Sequence, residues 1–276
     1  MKLTIYQVDA FANKVFEGNP AAICPLQKWL EDDVMQNIAA ENNLSETAFF
    51  VPTDSGYRIR WFTPVHEVDL CGHATLAAAQ VIFQHIEKDK SELHFESKSG
   101  ILSVSKNSAV SDAASNVTKN AQRLVMDFPS QAPSVCATPQ LIVDAFKTTA
   151  LACLQSQDYI VVFDSVESVQ NANPDMSLLR QLNLRGVIIT AQDTRAESEL
   201  DFVSRFFAPK YGIDEDPVTG SSFTQLIPYW SEKLDKNVLS AKQVSRRGGE
   251  VACEYKGERV SISGKAVQYL VGEIEI

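Results

Sequence analysis

The sequence predicts a mixed α+β fold built from two similar halves. Segments in which apolar and polar residues alternate, such as Leu3 to Phe11 and Tyr57 to Phe62, are typical of half-buried strands. Two stretches, His73 to Glu87 and Ser221 to Leu234, are typical of helices, and the first is apolar nearly all round, as in a buried helix. One strand–turn–helix pattern occurs in each half in the same order, which predicts that the halves share an architecture.

The composition is typical of a globular protein, and the net charge limits the classes of partner that the chain is expected to bind. It has 276 residues, of which 45% are hydrophobic and 22% charged, enough for one large domain or two of modest size. The formal net charge of −10 argues against nucleic acid and against anionic membrane surfaces. It leaves open an acidic substrate, because a local site can oppose the charge of the whole protein.

The first residues and the cysteines predict a cytoplasmic protein. Met1 to Asp9 alternates like a strand and lacks the apolar core of a signal peptide. No run of about 18 apolar residues is present, so we expect no membrane span. The five cysteines are widely spaced and include no Cys-x-x-Cys pair, which argues against a disulfide framework or structural zinc site and for reduced thiols.

Other elements follow from the same patterns. Further helices are predicted at Trp29 to Asn42 and Pro139 to Phe146. The segment Asn107 to Gln122 is rich in Ser, Asn and Ala and predicts a linker or exposed loop. Further strands are predicted at Glu46 to Val51, Leu93 to Phe95, Ile101 to Val104, Arg123 to Phe128, Tyr159 to Phe163, Val187 to Thr190, Leu200 to Ala208, Val251 to Tyr255, Arg259 to Ser263 and Val267 to Ile276.

The repeated pattern has three parts: a strand that ends in proline, an acidic stretch, and a glycine turn that opens an apolar helix. The first copy is Arg60-Trp61-Phe62-Thr63-Pro64, Glu67-Val68-Asp69 and Cys71-Gly72-His73-Ala74. The second copy is Arg205-Phe206-Phe207-Ala208-Pro209, Asp214-Glu215-Asp216 and Thr219-Gly220-Ser221-Ser222. Chance similarity of two such units is the simpler alternative, but the matched order favours duplication, and a cleft between duplicated halves is a common place for a ligand.

Each glycine turn predicts an anion-binding helix start. The first backbone N–H groups of a helix lack partners within the helix, and the helix dipole adds positive charge there. Two such ends that face one cleft would bind a carboxylate. Many helices begin with Gly and Ser only because these residues cap them well, so this alternative stays open.

Several short motifs together resemble the phenazine-biosynthesis-like (PhzF-like) isomerase family, which is related in fold to diaminopimelate epimerase. They run in family order over essentially the whole chain: Val8-Asp9-Ala10-Phe11, Gly18-Asn19-Pro20-Ala21, Asn43-Leu44-Ser45-Glu46-Thr47-Ala48-Phe49, Cys71-Gly72-His73-Ala74-Thr75, Phe207-Ala208-Pro209, Asp214-Glu215-Asp216-Pro217-Val218-Thr219-Gly220-Ser221 and Ser245-Arg246-Arg247-Gly248-Gly249.

The resemblance implies two pseudo-symmetric domains, each a twisted, mostly antiparallel sheet rolled around a central helix. The expected domains are 1–115, to which the last strand 266–276 returns, and 122–265. It also implies a homodimer, and no cofactor or metal.

The resemblance assigns catalytic roles to Glu46, His73 and Asp216. From the residues alone, Glu46 fits a solvent-exposed position at a helix exit, Asp216 fits a charge that complements a helix dipole, and His73 fits a hydrogen-bonded structural residue. The resemblance instead makes Glu46 the general acid/base, since a desolvated carboxylate has a raised pKa. It places Asp216 across the cleft and makes His73 a proton-handling or substrate-binding residue.

The substrate-binding residues implied are Gly72, Gly220 and Ser221. A metal site at His66, Glu67 and His73 is disfavoured, because the spacing fits no helical ligand face. A two-thiol racemase is also disfavoured, because no second cysteine lies near Asp216 to match Cys71.

One departure concerns the second turn, where many family members carry Ala-His and this chain carries Ser222-Phe223. An apolar ring near the cleft in place of a polar one leaves the identity of the substrate open.

The sequence therefore predicts a cofactor-independent isomerase that moves a proton within a small anionic carboxylate metabolite. The alternatives are a metabolite-binding protein that has lost catalysis, an amino-acid racemase or epimerase, and a scaffold whose function is an interaction surface.

Overall fold

The computed structural model describes residues 1–106 and 123–276, and the chain divides into two compact units. The first unit consists of Met1–Asp127 together with Ser263–Ile276, and the second of Phe128–Ile262. The predicted linker, Asn107 to Gln122, lies outside the described residues.

The domain bounds expected from the sequence, 1–115 with 266–276 and 122–265, stay a prediction. Compact packing does not by itself test whether each part folds as a domain. Within the described ranges, no helix has the length and apolar character needed to cross a membrane.

The strands, in chain order, are β1 (Lys2–Ala10), β2 (Asn19–Pro25), β3 (Glu46–Thr53), β4 (Gly56–Phe62), β5 (Glu67–Val68), β6 (Glu92–Ser97), β7 (Gly100–Lys106), β8 (Leu124–Pro129), β9 (Ser134–Val135), β10 (Ala152–Gln155), β11 (Tyr159–Val162), β12 (Val187–Gln192), β13 (Phe202–Ala208), β14 (Ile213–Asp216), β15 (Val238–Gln243), β16 (Gly249–Tyr255), β17 (Arg259–Gly264) and β18 (Ala266–Glu275). The α-helices are α1 (Asp32–Asn42), α2 (Gly72–Val81), α3 (Gln140–Phe146), α4 (Val166–Asn171), α5 (Met176–Leu179) and α6 (Gly220–Leu234).

The two units repeat one pattern of strand pairing. In the first, β1 pairs antiparallel with β18 and β2, β2 pairs parallel with β3, and β3 pairs antiparallel with β4. β4 then pairs antiparallel with β5 and parallel with β6, which forms a hairpin with β7. In the second, β9 to β16 follow the same sequence of antiparallel and parallel pairs, with β11–β12 and β13–β15 as the parallel ones.

An apolar helix packs on each sheet. α2 contacts β1, β2, β3 and β18, and α6 contacts β15 and β16. The predicted α+β architecture of two similar, mostly antiparallel halves, each with a buried helix, is therefore confirmed.

Most predicted elements are present with ends shifted by one or two residues, but some differ. The predicted helix from Trp29 begins only at Asp32, and the last turn of the helix predicted to reach Glu87 is a π-helical turn, Ile82–Ile86. α4 and α5 were not predicted, because six and four residues are too few to show a helical period.

The duplication extends to a charged side-chain pair in each unit. Arg60 Nε and Nη2 donate to the two carboxylate oxygens of Glu67 at 2.7 and 2.9 Å. Arg205 makes the same fork with Glu215 at 2.6 and 3.0 Å. Each guanidinium also lies over a phenylalanine ring two residues further along its strand, Phe62 or Phe207. The hydrogen bonds from Arg60 hold the pKa of Glu67 down at about 2.

The bidentate Arg205–Glu215 pair, which is partly buried, is expected to contribute more to stability than an exposed ion pair. Arg205→Lys keeps the charge but loses the bidentate geometry, and we expect it to lower the free energy of unfolding by about 1–3 kcal/mol. The matched control is Arg58→Lys, whose exposed pair with Glu96 contributes less than about 1 kcal/mol. Urea unfolding measures both, and equal losses would contradict the structural role of the fork.

Candidate active site

Glu46 is the first residue of β3, which the chain reaches through a left-handed turn at the end of α1. Asn43 forms this turn with a φ of 47°, a conformation that asparagine adopts more readily than most residues. β3 then runs parallel to β2, with Glu46 opposite Ala21. Only 9% of Glu46 is exposed, so its carboxylate is buried rather than directed into solvent.

His73, the second residue of α2, brings its ring to Glu46. Its Nε2 lies 3.0 Å from Glu46 Oε2, and both residues are buried. Among the described residues, neither of these two atoms has a hydrogen-bond partner of good geometry, so they are close without being well aligned. Both atoms therefore retain hydrogen-bonding capacity that a bound ligand could use.

The charge state of His73 is set by burial and by its neighbours. Burial alone lowers the pKa of an imidazole, but the interactions of the ring with Cys71 and Glu46 outweigh it and raise the His73 pKa well above its ordinary value. Burial also raises the pKa of Cys71 to about 11, so Cys71 is a neutral thiol near pH 7. The interaction with Glu46 therefore favours the imidazolium form of His73.

The other ring nitrogen of His73 has a partner suited to either proton state. Nδ1 lies 3.3 Å from Asn19 Nδ2 and 3.5 Å from Cys71 Sγ. A side-chain amide offers a donor or an acceptor from nearly the same position, depending on which way it is turned. Asn19, which is fully buried, is thus able to hold the neutral ring or the imidazolium.

Asp216 ends β14 in the second unit and is also buried. Its Oδ2 accepts a hydrogen bond from the Thr219 hydroxyl. Gln243 fixes the turn, because its Nε2 donates to the Asp216 carbonyl at 2.6 Å and its Oε1 accepts from the Thr219 N–H at 2.9 Å. The carboxylate is thereby held at the entry to α6.

Gly72 and Gly220 are the first residues of α2 and α6, as predicted for helix starts. Backbone N–H groups in a first helical turn have no acceptor within their own helix. The Ser221 hydroxyl oxygen accepts a hydrogen bond from Arg185 Nη1 at 3.0 Å. A hydroxyl that accepts from a cation keeps its own hydrogen for another acceptor, so Ser221 suits an anionic partner.

Sequence reasoning missed the network that supports Ser221. Asp158 is fully buried and accepts hydrogen bonds from Arg185 Nε at 2.9 Å and from Gln225 Nε2 at 2.7 Å. Arg185 also lies over the Phe206 ring. These contacts join residues that are far apart in the sequence. The one local feature that could have indicated the network is an aspartate directly before a fully apolar strand.

The strand register identifies the residue of the second unit that corresponds to Glu46. Thr47 pairs with Phe62, and Val187 pairs with Phe207, which is the counterpart of Phe62. The residue before Val187, Gly186, is therefore the counterpart of Glu46. A Cβ at Gly186 would lie 2.6 Å from the Phe207 carbonyl oxygen, so the position has no room for a side chain.

The unit with Glu46 and His73 therefore differs chemically from the unit with Arg185 and Ser221. His73 and Ser221 occupy the same place in the repeated glycine turn. One unit presents a carboxylate and an imidazole at its helix start, and the other a guanidinium and a hydroxyl. The two copies of the pattern therefore share their architecture and differ in the side chains at the helix start.

Ser222 and Phe223 point inward. The Ser222 hydroxyl donates to the Thr219 carbonyl at 2.7 Å, and Phe223 is fully buried with its ring near that of Phe202. The apolar ring that the sequence placed near a ligand is thus part of the core of the second unit.

Among the residues of 1–106 and 123–276, one cluster has three donors spaced for a metal ion, namely Glu46, Cys71 and His73. It shares only His73 with the set weighed from the sequence. A metal requires a thiolate and a neutral imidazole, whereas burial favours the Cys71 thiol and Glu46 favours the imidazolium.

Comparison with known proteins identifies the family. The sequence model of the family described as "Phenazine biosynthesis-like protein" (PhzC-PhzF) matches residues 8–272. A Pseudomonas aeruginosa protein named an uncharacterized isomerase is 47% identical over 276 residues, covering 100% of both chains.

Solved structures agree with this assignment. The crystal structure of a PhzF-family phenazine biosynthesis protein from Enterococcus faecalis has a TM-score of 0.91 at 44% identity and covers 100% of both chains. A hydroxyproline epimerase from Agrobacterium vitis has a TM-score of 0.65 at 8% identity, covering 99% of this chain and 92% of the epimerase, a likeness of fold alone. The chain therefore belongs to the phenazine biosynthesis-like (PhzC-PhzF) family and has its epimerase-like fold.

Proposed function

We propose that this protein is a cofactor-independent isomerase that moves a proton within a small carboxylate metabolite, with Glu46 as the general acid/base. The observation that carries the proposal is the buried contact of 3.0 Å between Glu46 Oε2 and His73 Nε2. The name of the Pseudomonas aeruginosa relative, an uncharacterized isomerase, supports the same class of reaction.

The charges of the pair suit abstraction of a proton from carbon. When the Glu46 carboxylate takes a proton from a carbon next to an unsaturated or carboxylated centre, Glu46 becomes neutral and the substrate gains a negative charge. The His73 imidazolium then stabilises that charge, because it no longer faces a carboxylate. Glu46 returns the proton to a different carbon, so the substrate is isomerised and the enzyme is restored.

The substrate carboxylate is assigned to the helix starts in this proposal. The N–H groups at Gly72 and Gly220 and the Ser221 hydroxyl are donors of the kind that bind anions. Asp216 serves as a partner in proton transfer or in substrate orientation. The interdomain cleft as the place of binding, the homodimer and the cytoplasmic location remain parts of the proposal that rest on the family resemblance and on sequence composition.

Two alternatives keep the same binding residues. A metabolite-binding protein without catalysis would bind carboxylates and leave them unchanged. An amino-acid racemase or epimerase would return the proton to the carbon it came from. A two-thiol racemase is not favoured, because Thr219 stands at the counterpart of Cys71 in the second turn.

Replacing Glu46 tests the proposal. Purified protein is incubated in deuterated water with a panel of small unsaturated and amino carboxylates, and NMR and mass spectrometry follow both isomer formation and deuterium at carbon. We expect Glu46→Gln to lower the rate by about 10²- to 10⁴-fold, the usual contribution of a general acid/base. The matched control, Glu41→Gln, changes an exposed glutamate of α1 and leaves the rate unaltered.

The position of the label separates the alternatives. Deuterium or a shifted double bond at a new carbon supports an isomerase, and inversion at one carbon indicates a racemase. Unchanged rates in Glu46→Gln would contradict the role of Glu46. Ligands that stabilise the fold without any turnover would indicate a binding protein.

Neighbouring serines test the anion site in the second unit. We expect Ser221→Ala to weaken binding of the turned-over carboxylate about tenfold or more, because a hydrogen bond to a charged group is lost. Ser222→Ala serves as the control, since its hydroxyl donates to the Thr219 carbonyl and stabilises the helix start instead. Calorimetric titration measures both, and equal affinity of Ser221→Ala and wild type would remove Ser221 from the site.

A further inference from the structure

Two cysteines of the second unit face each other across neighbouring strands. β9 pairs antiparallel with β10, with Val135 opposite Leu154. The next pair in this register is Cys136 and Cys153, and the Cys136 N–H donates to the Cys153 carbonyl at 3.0 Å. Their Sγ atoms lie 3.6 Å apart.

The spacing of the strands suits a covalent link between these thiols. Directly opposed, hydrogen-bonded residues of an antiparallel pair have Cα atoms about 5.5 Å apart, within the range found for disulfides. A disulfide requires the sulfur atoms to approach to about 2.05 Å, which small side-chain rotations supply when the Cα spacing is already correct. All five cysteines are free in the structure.

We propose that Cys136 and Cys153 form a redox modification site, which a hydroperoxide converts into a cross-strand disulfide. This inference is independent of the proposed isomerase activity. The other three cysteines, Cys24, Cys71 and Cys253, are buried and stand in other elements.

The difference in exposure between the two cysteines indicates which thiol reacts first with the peroxide. Cys136 is partly exposed, whereas Cys153 is buried, and burial raises the pKa of Cys153 to about 12. The Cys136 thiolate attacks the peroxide, breaks the O–O bond and becomes a sulfenic acid, with water or an alcohol as the leaving molecule. Cys153 then gives up its proton and attacks the Cys136 sulfur, the S–S bond forms as the S–O bond breaks, and the hydroxide leaves with that proton as water. The two thiols are oxidised by two electrons, and the peroxide is reduced by two.

The disulfide would cross-link a part of the sheet in which the strand pairing is short. β9 has only two residues, and the chain between the cysteines, 137–152, contains α3. Closing this loop restricts the unfolded chain, so the oxidised protein is expected to unfold at a temperature several degrees higher. A thiol reductant reverses the change.

Peptide mapping tests the site directly. Full-length protein is treated with hydrogen peroxide, the remaining thiols are alkylated, and trypsin digestion follows without reductant. Cleavage after Lys147 separates the cysteines into peptides 124–147 and 148–180. We expect these two peptides to appear joined, with the loss of two hydrogen atoms, and to separate after reduction.

Serine variants provide the controls. In Cys136→Ser and Cys153→Ser the joined peptide and the rise in unfolding temperature are absent, whereas Cys253→Ser retains both. The proposal is overturned if peroxide converts Cys136 to sulfinic or sulfonic acid without a link to Cys153, if neither thiol is oxidised, or if Cys136 joins another cysteine. The wild-type mapping gives this answer even if a variant fails to fold.

Discussion

Removing a carboxylate and an imidazole from water costs free energy, and a contact between the two groups offsets part of that cost. Glu46 and His73 make such a contact, with Oε2 and Nε2 3.0 Å apart. Their placement depends on two backbone features: the left-handed turn at Asn43 that starts β3, and the glycine that starts α2. The contact ties the first sheet to its central helix. It also places the buried Glu46 carboxylate, the general acid/base of the proposed reaction, beside the His73 ring.

Duplication provided two copies of this frame, and the copies kept their architecture while their chemistry separated. The Arg–Glu fork beside each glycine turn is retained with nearly the same distances. At the position of Glu46 the second copy has Gly186, where a Cβ would clash with the backbone, and Arg185 precedes it. The first copy therefore has a buried carboxylate beside an imidazole, and the second has a hydroxyl that accepts a hydrogen bond from a guanidinium.

The fold was largely predictable because its signals are local. Alternation marked the strands, an apolar run marked α2, and the two glycine turns marked the helix starts. Glu46, His73 and Asp216 were identified through resemblance to a family, since a single glutamate at a helix exit carries no local sign of burial. The Asp158–Arg185–Ser221 network could not be predicted, because it joins residues 27 and 36 positions apart through packing that no periodicity records. The Cys136–Cys153 pair depends likewise on the register of β9 and β10, which sequence alone leaves unspecified.

The charge of His73 tests the account most directly. The chain has four histidines, so an NMR titration of their ring protons is able to follow His73 separately. The account predicts a His73 pKa well above the ordinary value in the wild-type protein, and a fall in Glu46→Gln, because the ring stays buried and loses its interaction with the Glu46 carboxylate. His94, which is exposed and contacts Ser103 rather than Glu46, serves as the internal reference. A wild-type His73 pKa at or below the ordinary value, unaffected by Glu46→Gln, would contradict the buried charge pair and the proton-transfer chemistry built on it.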